Sequence, residues 1–200
     1  MTAHTDSDRY FSSVAEGYQE KVTSWPLSWL RARESSAVAE LLGDVTGLRI
    51  LELGCGSGYY TRQLTEGRAA QVIAVDKSGP MIEALKLPNV QGIVASASDI
   101  KIAETFDLIL SAGMLEFVPD PAAVMANARG HAGEGTSMIL LMPEKNIFGQ
   151  LYRLFHLTHG VRALLLSHRE KLVLFEKTGW KVDRVHRVFP FTVVFRLIAV

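Results

Sequence analysis

Short apolar runs alternate with amphipathic stretches along most of the chain, and this pattern predicts strands and helices in turn. Apolar residues at helical spacing open the chain, and the first strand-like run follows Gly43. The predicted helices cover Asp8–Val22, Leu27–Leu42, Tyr59–Glu66, Ser78–Lys86, Pro121–Arg129, Ile147–Leu166 (as one or two helices, interrupted near Gly160) and Ser167–Lys177. The predicted strands cover Leu48–Leu53, Gln71–Val75, Val90–Ala95, Phe106–Ser111, Ser137–Met142, Trp180–Val188 and Phe191–Ala199.

The order of these elements predicts the fold class. Short buried strands that alternate with helices are typical of a parallel sheet covered on both faces. The last two strands have no helix between them, and a tight return through Pro190 makes them antiparallel neighbours. We therefore expect a three-layer α/β sandwich with a seven-stranded, mostly parallel sheet and one antiparallel edge strand. N-terminal helices precede this sheet, and a helical insertion follows the fifth strand. Ligands of such sheets bind at the carboxyl ends of the strands, near the point where strand order reverses.

Composition and charge narrow the class of protein. The chain has 200 residues, 48% of them hydrophobic and 21% charged, which fits a single globular domain. Its formal net charge of zero argues against a general nucleic-acid binder. Cys55 is the single cysteine, so no internal disulfide or multi-cysteine metal site is expected, and a reducing, cytoplasmic location is favoured. We expect no transmembrane segment, and Met1–Arg9 is polar and lacks the apolar core of a signal peptide.

A glycine-rich segment follows the first sheet strand and carries most of the functional information. Gly54, Gly56 and Gly58 allow a sharp turn and a close approach of a ligand to the backbone. A dinucleotide-binding loop needs a third glycine or an alanine where Tyr59 stands. Glu52, two residues before the loop, would repel a pyrophosphate but attract an ammonium or a sulfonium. The loop therefore fits a cationic ligand better than a dinucleotide, although a turn without a ligand would look the same.

Further polar residues follow the second and third strands. Asp76 ends the second strand, and its carboxylate can accept both hydroxyls of a ribose. Met81 can lie over an adenine ring, and Ser98, Asp99 and Ile100 place an acid where an adenine amino group would reach it. Each residue alone also fits a helix cap, a loop acid or a core position. The order and spacing of the set are more specific than any one member.

As a set, these motifs resemble those of the class I S-adenosylmethionine-dependent methyltransferases. Glu52–Gly58 resembles the first motif of that family, Asp76 its ribose acid and Asp99 its adenine acid. Phe106–Pro121 resembles the motif of the fourth strand. The similarity covers roughly residues 8–200 and is greatest for small-molecule enzymes that resemble the ubiquinone-biosynthesis methyltransferases.

The resemblance implies a Rossmann-like sheet and S-adenosyl-L-methionine as the cofactor, with S-adenosyl-L-homocysteine as the product. It implies a single domain with an N-terminal helical lid (1–45), a cofactor-binding core (46–144), an acceptor-side helical insertion (145–170) and a final helix and strands (171–200). The sequence shows no acids and histidines at metal-ligand spacing, so we expect no metal. The residues implied in holding the cofactor are Tyr10, Tyr18, Glu52, Gly54, Cys55, Gly56, Gly58, Asp76, Lys77, Met81, Ser98, Asp99, Ile100, Ser111, Ala112 and Gly113.

Methyl transfer from a sulfonium is an in-line displacement, so the protein mainly positions and desolvates the reactants. An oxygen acceptor usually needs a base, whereas a neutral amine does not. The candidate bases are Glu116, at the end of the fourth strand, and His156 and His159, in the insertion. The insertion also holds His168, Tyr152 and Arg153, which are further candidates. Many family members have a histidine where Phe117 stands, so a base or a metal ligand is not expected at that position.

Charge is unevenly distributed along the chain. Residues 145–200 hold 10 lysines and arginines against 3 acids, whereas residues 1–144 hold 11 against 18. Arg153 and Arg162 interrupt the apolar stretch Ile147–Leu166. This segment fits a solvated basic face, a site for an apolar acceptor that carries an acid, or peripheral docking on an anionic membrane. Exposed apolar surface there would also let two subunits pair, so a monomer and a homodimer both stay open.

We therefore predict an enzyme that methylates O, N or C of a small, apolar or aromatic molecule that can be acidic. The first alternative is a non-catalytic protein that binds S-adenosylmethionine or S-adenosylhomocysteine, and the second is a nicotinamide-dependent oxidoreductase. A third is a methyltransferase that acts on nucleic acid or protein. The segment Ser111–Met114 stands where base-methylating enzymes carry an Asn/Asp-Pro-Pro-Tyr-type motif, which disfavours methylation of bases.

Overall fold

Strands and helices alternate in the structure as the sequence pattern predicts. The structure is a computed structural model that describes residues 27–200, so Tyr10, Tyr18 and the helix predicted over Asp8–Val22 lie outside the described residues. The helices are α1 (Leu27–Leu42), α2 (Tyr59–Glu66), α3 (Gly79–Glu83), α4 (Pro121–Gly130), α5 (Ile147–Thr158) and α6 (His168–Lys177), with a 3-10 turn at Leu115–Phe117. The strands are β1 (Arg49–Leu53), β2 (Gln71–Asp76), β3 (Val90–Val94), β4 (Phe106–Ala112), β5 (Ala132–Pro143), β6 (Trp180–Val188) and β7 (Thr192–Ala199).

All of these strands form one sheet in the order β3-β2-β1-β4-β5-β7-β6. The first five strands of the chain run parallel, while β7 is antiparallel to both β5 and β6. The prediction of a mostly parallel sheet with one reversed strand at its end is confirmed, with β6 outermost and β7 one place inside it. Strand order reverses between β1 and β4, so the carboxyl ends of these two strands flank the expected ligand crevice.

Helices cover both faces of the sheet because every central strand is apolar on both sides. Leu51 of β1 packs in one layer with Met125 of α4. The adjacent residue, Ile50, points to the other layer and packs with Val38 of α1 and Leu64 of α2. Successive side chains of a strand point to opposite faces, so an unbroken apolar run builds both layers at once.

The insertion after β5 differs from its prediction. Helix α5 ends at Thr158, and Gly160 follows with a φ of +75°. Val161 and Ala163 are buried while the residue between them is exposed, which is the alternation of an extended segment. The prediction that helix continues to Leu166 is therefore wrong. The apolar residues beyond Gly160 reflect burial of a non-helical segment, which composition alone does not distinguish from a helix.

Two other boundaries shift by three residues or more. Helix α3 stops at Glu83 rather than Lys86, and β5 begins at Ala132 rather than Ser137. Helix α6 keeps its predicted start because the side chain of Ser167 and the side chain of Glu170 cap each other's backbone amides. Within residues 27–200, no helix has the length and apolar character needed to cross a membrane.

Candidate active site

The glycine loop between β1 and α2 lies at the carboxyl end of β1, where the ligand crevice is expected. Gly54, Gly56 and Gly58 have φ values of +73°, +54° and +85°, which side chains rarely adopt. The amide of Gly54 donates to the carbonyl of Val75 at 2.8 Å and so ties the loop to β2. A Cβ atom at Gly54 would overlap the Met114 side chain, whereas one at Gly56 would have no neighbour within 4 Å. Packing therefore requires glycine at the start of the loop, while its middle faces open space.

Asp76 lies beside this loop with its carboxylate already oriented by the backbone. One oxygen accepts the amide of Gly56 at 2.9 Å, and the other accepts the amide of Ser78 at 2.9 Å. A carboxylate oxygen can accept more than one hydrogen bond, so Asp76 keeps capacity for hydroxyl donors. Lys77 is exposed next to it, and Met81 is buried in α3. The predicted ribose acid therefore lies next to the predicted glycine loop.

The segment after β3 holds the predicted adenine-side residues. Ile100 is buried, and its carbonyl accepts the side-chain amide of Asn127 at 3.1 Å. The hydroxyl of Ser98 lies 2.7 Å from that of Ser96, and Asp99 is exposed at the surface. The backbone here is fixed by α4, and the carboxylate of Asp99 remains accessible to a ligand.

Glu52 is buried beneath the glycine loop. The hydroxyl of Thr61 in α2 donates to its carboxylate at 2.6 Å. Burial raises the pKa of Glu52 to about 8, and the nearby charge of Asp76 acts in the same direction. Burial also raises the pKa of the Cys55 thiol, which is therefore neutral. Both side chains support the loop from within, and the expected contact of Glu52 with a cationic ligand stays a prediction.

The end of β4 faces the glycine loop across the strand reversal. The amide of Gly113 donates to the carbonyl of Leu141 at 3.2 Å, and Gly113 has a φ of +72°. Ser111 is fully buried, and its hydroxyl has no hydrogen-bond partner among residues 27–200. Ala112 between them is half-buried. Since β1 and β4 are paired neighbours, these residues border the same crevice as the loop.

Glu116 lies in the 3-10 turn after β4 and is the central acid on this side of the crevice. Its Oε1 atom is 4.0 Å from the position of a Cβ at Gly113, and Tyr152 of α5 donates to it at 3.4 Å. Its Oε2 atom is buried with no hydrogen-bond partner in the described part of the chain. Burial raises the pKa of Glu116 to about 7; the charge of Glu34 also raises it, and that of Lys171 lowers it. This carboxyl can therefore exchange a proton near neutral pH.

The structure brings one of the two candidate histidines to Glu116. The ring of His156 lies 4.4 Å from that of Tyr152 and 5.0 Å from that of Phe117, between centroids. Burial lowers the pKa of His156 to about 4, so its imidazole is neutral at pH 7, and its Nδ1 atom is buried without a partner in residues 27–200. His159 is exposed, with Nδ1 2.9 Å from the Phe155 carbonyl oxygen. His156 therefore belongs to the Glu116 cluster, whereas His159 lies at the end of its helix.

A family model for a methyltransferase domain matches residues 27–185. The chain belongs to this methyltransferase family. Over 191 residues it is 31% identical to a malonyl-[acyl-carrier protein] O-methyltransferase of Bacillus cytotoxicus, covering 87% of this chain and 64% of that one. Over 135 residues it is 28% identical to a ubiquinone biosynthesis O-methyltransferase of Rhodopseudomonas palustris, covering 63% and 53%. The predicted resemblance to the ubiquinone-biosynthesis enzymes is thus confirmed at the level of family.

The fold of this methyltransferase domain is also found among solved structures. A magnesium protoporphyrin IX methyltransferase from Synechocystis PCC 6803 with bound SAH matches 97% of this chain and 98% of its own, with a TM-score of 0.77 and 16% identity. The chain spans about half the length of several curated relatives that it matches. These matches establish the family and the Rossmann-like fold.

One buried residue near the candidate site was not among the sequence predictions. Lys171 is fully buried in α6, and its ammonium donates to the carbonyl of Pro143 at 2.7 Å. Burial lowers the pKa of Lys171 to about 8. No sequence signal marks this lysine, because charged residues on amphipathic helices are normally exposed.

No group of three or more histidine, cysteine or acidic side chains that could hold a metal ion occurs within residues 27–200.

Proposed function

We propose that this methyltransferase domain moves the methyl group of S-adenosyl-L-methionine to an O, N or C atom of a small molecule and leaves S-adenosyl-L-homocysteine. The acceptor is apolar or aromatic and can carry an acid group. The observation that carries the proposal is the Asp76 carboxylate, which two backbone amides orient beside the open middle of the glycine loop. A carboxylate in this position at the end of the second strand suits the two hydroxyls of a ribose.

The residues around the crevice fit the proposed cofactor. Gly56 leaves space for close approach, and Asp76 would accept the ribose hydroxyls. Asp99 is accessible for the amino group of an adenine, and the backbone of Ser111 and Gly113 would receive the amino-acid end. The Ser111 hydroxyl has no hydrogen-bond partner in the described part of the chain, and this supports the placement because a buried polar atom is normally hydrogen-bonded.

Glu116 is the proposed proton acceptor for the methyl acceptor. The bound sulfonium supplies the methyl group and its own leaving group. This chain therefore needs only to bind and orient the two reactants and to deprotonate the methyl acceptor. Ionised Glu116 takes the proton from the acceptor atom through Oε2, which has no hydrogen-bond partner among residues 27–200, while Tyr152 holds Oε1. The rings of Phe117 and Phe191 flank Tyr152, and Glu116 itself is buried, so little water reaches its carboxylate.

The comparisons favour oxygen as the acceptor atom. Malonyl-[acyl-carrier protein] O-methyltransferases and ubiquinone biosynthesis O-methyltransferases are both named for methylation at oxygen. A hydroxyl acceptor needs a base such as Glu116. A carboxylate acceptor is already ionised and needs instead a positive charge, which the buried ammonium of Lys171 supplies near Glu116.

Calorimetry with S-adenosylhomocysteine tests the cofactor assignment. We expect wild-type protein to bind it and Asp76→Asn to weaken binding about 10- to 100-fold, because hydrogen bonds to a charged group are lost. Asp44→Asn is the matched control, since Asp44 is exposed in the turn before β1. Tight binding of a nicotinamide dinucleotide in place of S-adenosylhomocysteine would refute the assignment and support an oxidoreductase.

Single-turnover transfer of a labelled methyl group tests catalysis. A panel of phenols, carboxylic acids and amines is presented to the wild type and to Glu116→Gln. With a hydroxyl acceptor, we expect the wild-type rate to rise with pH through about 7 and the variant to lose at least tenfold in rate. Cofactor binding without transfer to any member of the panel would instead support a non-catalytic binding protein.

The proposal extends to partners and location. We propose a small-molecule acceptor rather than nucleic acid, because the chain has no net positive charge. We also propose that the protein acts in the cytoplasm, as a monomer or a homodimer, with peripheral contact to a membrane. We further propose that the chain is a single domain made of an N-terminal helical lid (1–45), a cofactor-binding core (46–144), an acceptor-side insertion (145–170) and a final helix with two strands (171–200).

A further inference from the structure

Helix α5 exposes its apolar face and turns its more polar face toward the protein, the reverse of the usual arrangement. Gly149, Tyr152 and His156 point toward the protein and are buried or half-buried. The outward face is apolar instead of polar. Its exposed side chains, with exposed fractions, are Ile147 (71%), Phe148 (42%), Leu151 (58%), Leu154 (56%), Phe155 (55%) and Leu157 (51%). A surface helix of a globular protein normally turns such a stripe to the core.

The apolar surface continues beyond the helix. Phe189, in the turn between β6 and β7, is 62% exposed, and its ring centroid lies 5.6 Å from that of Phe148. We define the apolar face as the six exposed side chains of α5 together with Phe189. Contiguous apolar patches of this kind on a folded protein mark an interaction surface.

The charges beside the apolar face are basic. Arg153 in α5 and Arg162 just beyond it are exposed, and neither forms an ion pair with a carboxylate of residues 27–200. Two acids that follow β5 in the chain are already paired. Glu144 binds Arg187 at 3.2 Å and Glu170 binds Lys145 at 3.7 Å. The face therefore combines exposed apolar side chains with two arginines that pair with no carboxylate of residues 27–200.

We propose that the apolar face docks on an anionic membrane surface. Leu151, Leu154 and Phe155 enter the boundary between headgroups and acyl chains, and Arg153 and Arg162 meet the lipid phosphates. Interfacial helices combine these features: an apolar side and basic residues, without the length of a membrane span. The charge pattern also disfavours a second copy of this chain as the occupant. A twofold interface apposes a patch with itself, so it would bring two basic patches together, and the nearby acids Glu144 and Glu170 of the described chain already pair with other cations.

This docking is independent of the proposed methyl transfer, so the two proposals fail separately. The link between them is α5 itself, whose inner side carries Tyr152 over Glu116. A membrane-bound α5 would place the proposed acceptor side of the crevice next to the bilayer. An apolar acceptor dissolved in lipid would then reach Glu116 by a short path.

Co-sedimentation with vesicles tests the docking. Wild-type protein is mixed with vesicles of phosphatidylcholine alone and of equal parts phosphatidylcholine and phosphatidylglycerol. We expect binding to the anionic vesicles only, and weaker binding as salt is raised. Leu151→Gln with Leu154→Gln should weaken binding about 100-fold, because two buried leucines no longer contribute. Arg153→Gln with Arg162→Gln should cost about fivefold for each arginine removed.

Matched controls separate docking from loss of folding. Val94→Gln changes a side chain that is 56% exposed on β3, at the opposite end of the sheet, and Lys86→Gln removes an exposed charge after α3. Both should bind vesicles like the wild type, and circular dichroism should be unchanged for every variant. If the leucine pair fails to fold, Phe189→Gln takes its place. Absence of wild-type binding to anionic vesicles, or binding that neither pair changes, overturns the proposal. So does a dimer in sedimentation velocity that the leucine pair dissociates and vesicles do not disrupt.

Discussion

Replacement of Glu116 by glutamine should make the stability of the protein less sensitive to pH. Burial raises the pKa of this carboxyl to about 7, from an ordinary value of 4.5. Between these two values the folded state binds more protons than the unfolded state, so the free energy of unfolding falls as pH rises and then levels off above about 7. A pKa shift of this size changes the free energy of unfolding by about 3 kcal/mol in total, and about 2–3 kcal/mol of this change occurs between pH 5 and pH 8.

Glutamine is a neutral mimic of the protonated acid and carries no such dependence. Urea unfolding followed by tryptophan fluorescence at pH 5 and pH 8 measures the effect as a difference between wild type and Glu116→Gln. The other titrating groups cancel in that difference. We expect the variant to gain about 2–3 kcal/mol on the wild type between the two pH values. Glu176→Gln, which changes an exposed acid of α6, should show no gain. An equal pH dependence for wild type and Glu116→Gln would refute the buried, proton-exchanging carboxyl.

Three further changes test how the site is built. Gly54→Ala should lower the free energy of unfolding by about 3 kcal/mol in urea, because the left-handed backbone and the contact with Met114 both oppose the added methyl group. Gly56→Ala should lower it by only about 1–2 kcal/mol, because only the left-handed backbone opposes the methyl group there. Thr61→Val removes the hydroxyl that donates to Glu52 and should lower the free energy of unfolding by about 1–3 kcal/mol. The loss should be larger at pH 9 than at pH 6 because the Glu52 carboxyl ionises near pH 8, and an equal loss at both pH values would contradict this assignment. Asp120→Ala removes the cap of α4 and should lower stability by about 1 kcal/mol while leaving S-adenosylhomocysteine affinity unchanged in calorimetry.

The order of the helices and strands and the motifs of the proposed cofactor side could be predicted from the sequence. Gly54–Gly58 and Asp76 each end a strand that its own apolar run predicts. The carboxyl ends of parallel strands share one edge of the sheet, so the prediction of where these residues meet needed no knowledge of side-chain packing. The structure accordingly joins Gly56 to Asp76 by a hydrogen bond.

The proposed acceptor side of the site was harder to predict from the sequence. His156 and His159 looked equivalent as candidate bases, yet one lies against Tyr152 and the other is exposed. The end of α5 was also misplaced, because an apolar run beyond Gly160 has the same composition whether it is helical or extended. Both outcomes depend on which face of the insertion meets the sheet, and a local pattern does not encode that choice.

The sequence by itself therefore determined the architecture and the cofactor edge of the sheet. Periodicity and glycine placement are local properties, and they constrain the backbone before any long-range contact forms. Tertiary structure alone decided the chemical state of the site. Glu52, Glu116 and Lys171 have shifted pKa values because residues distant in the chain exclude water from them. The outward apolar face of α5 was decided in the same way, since packing turned its polar side toward Glu116 and left its leucines exposed.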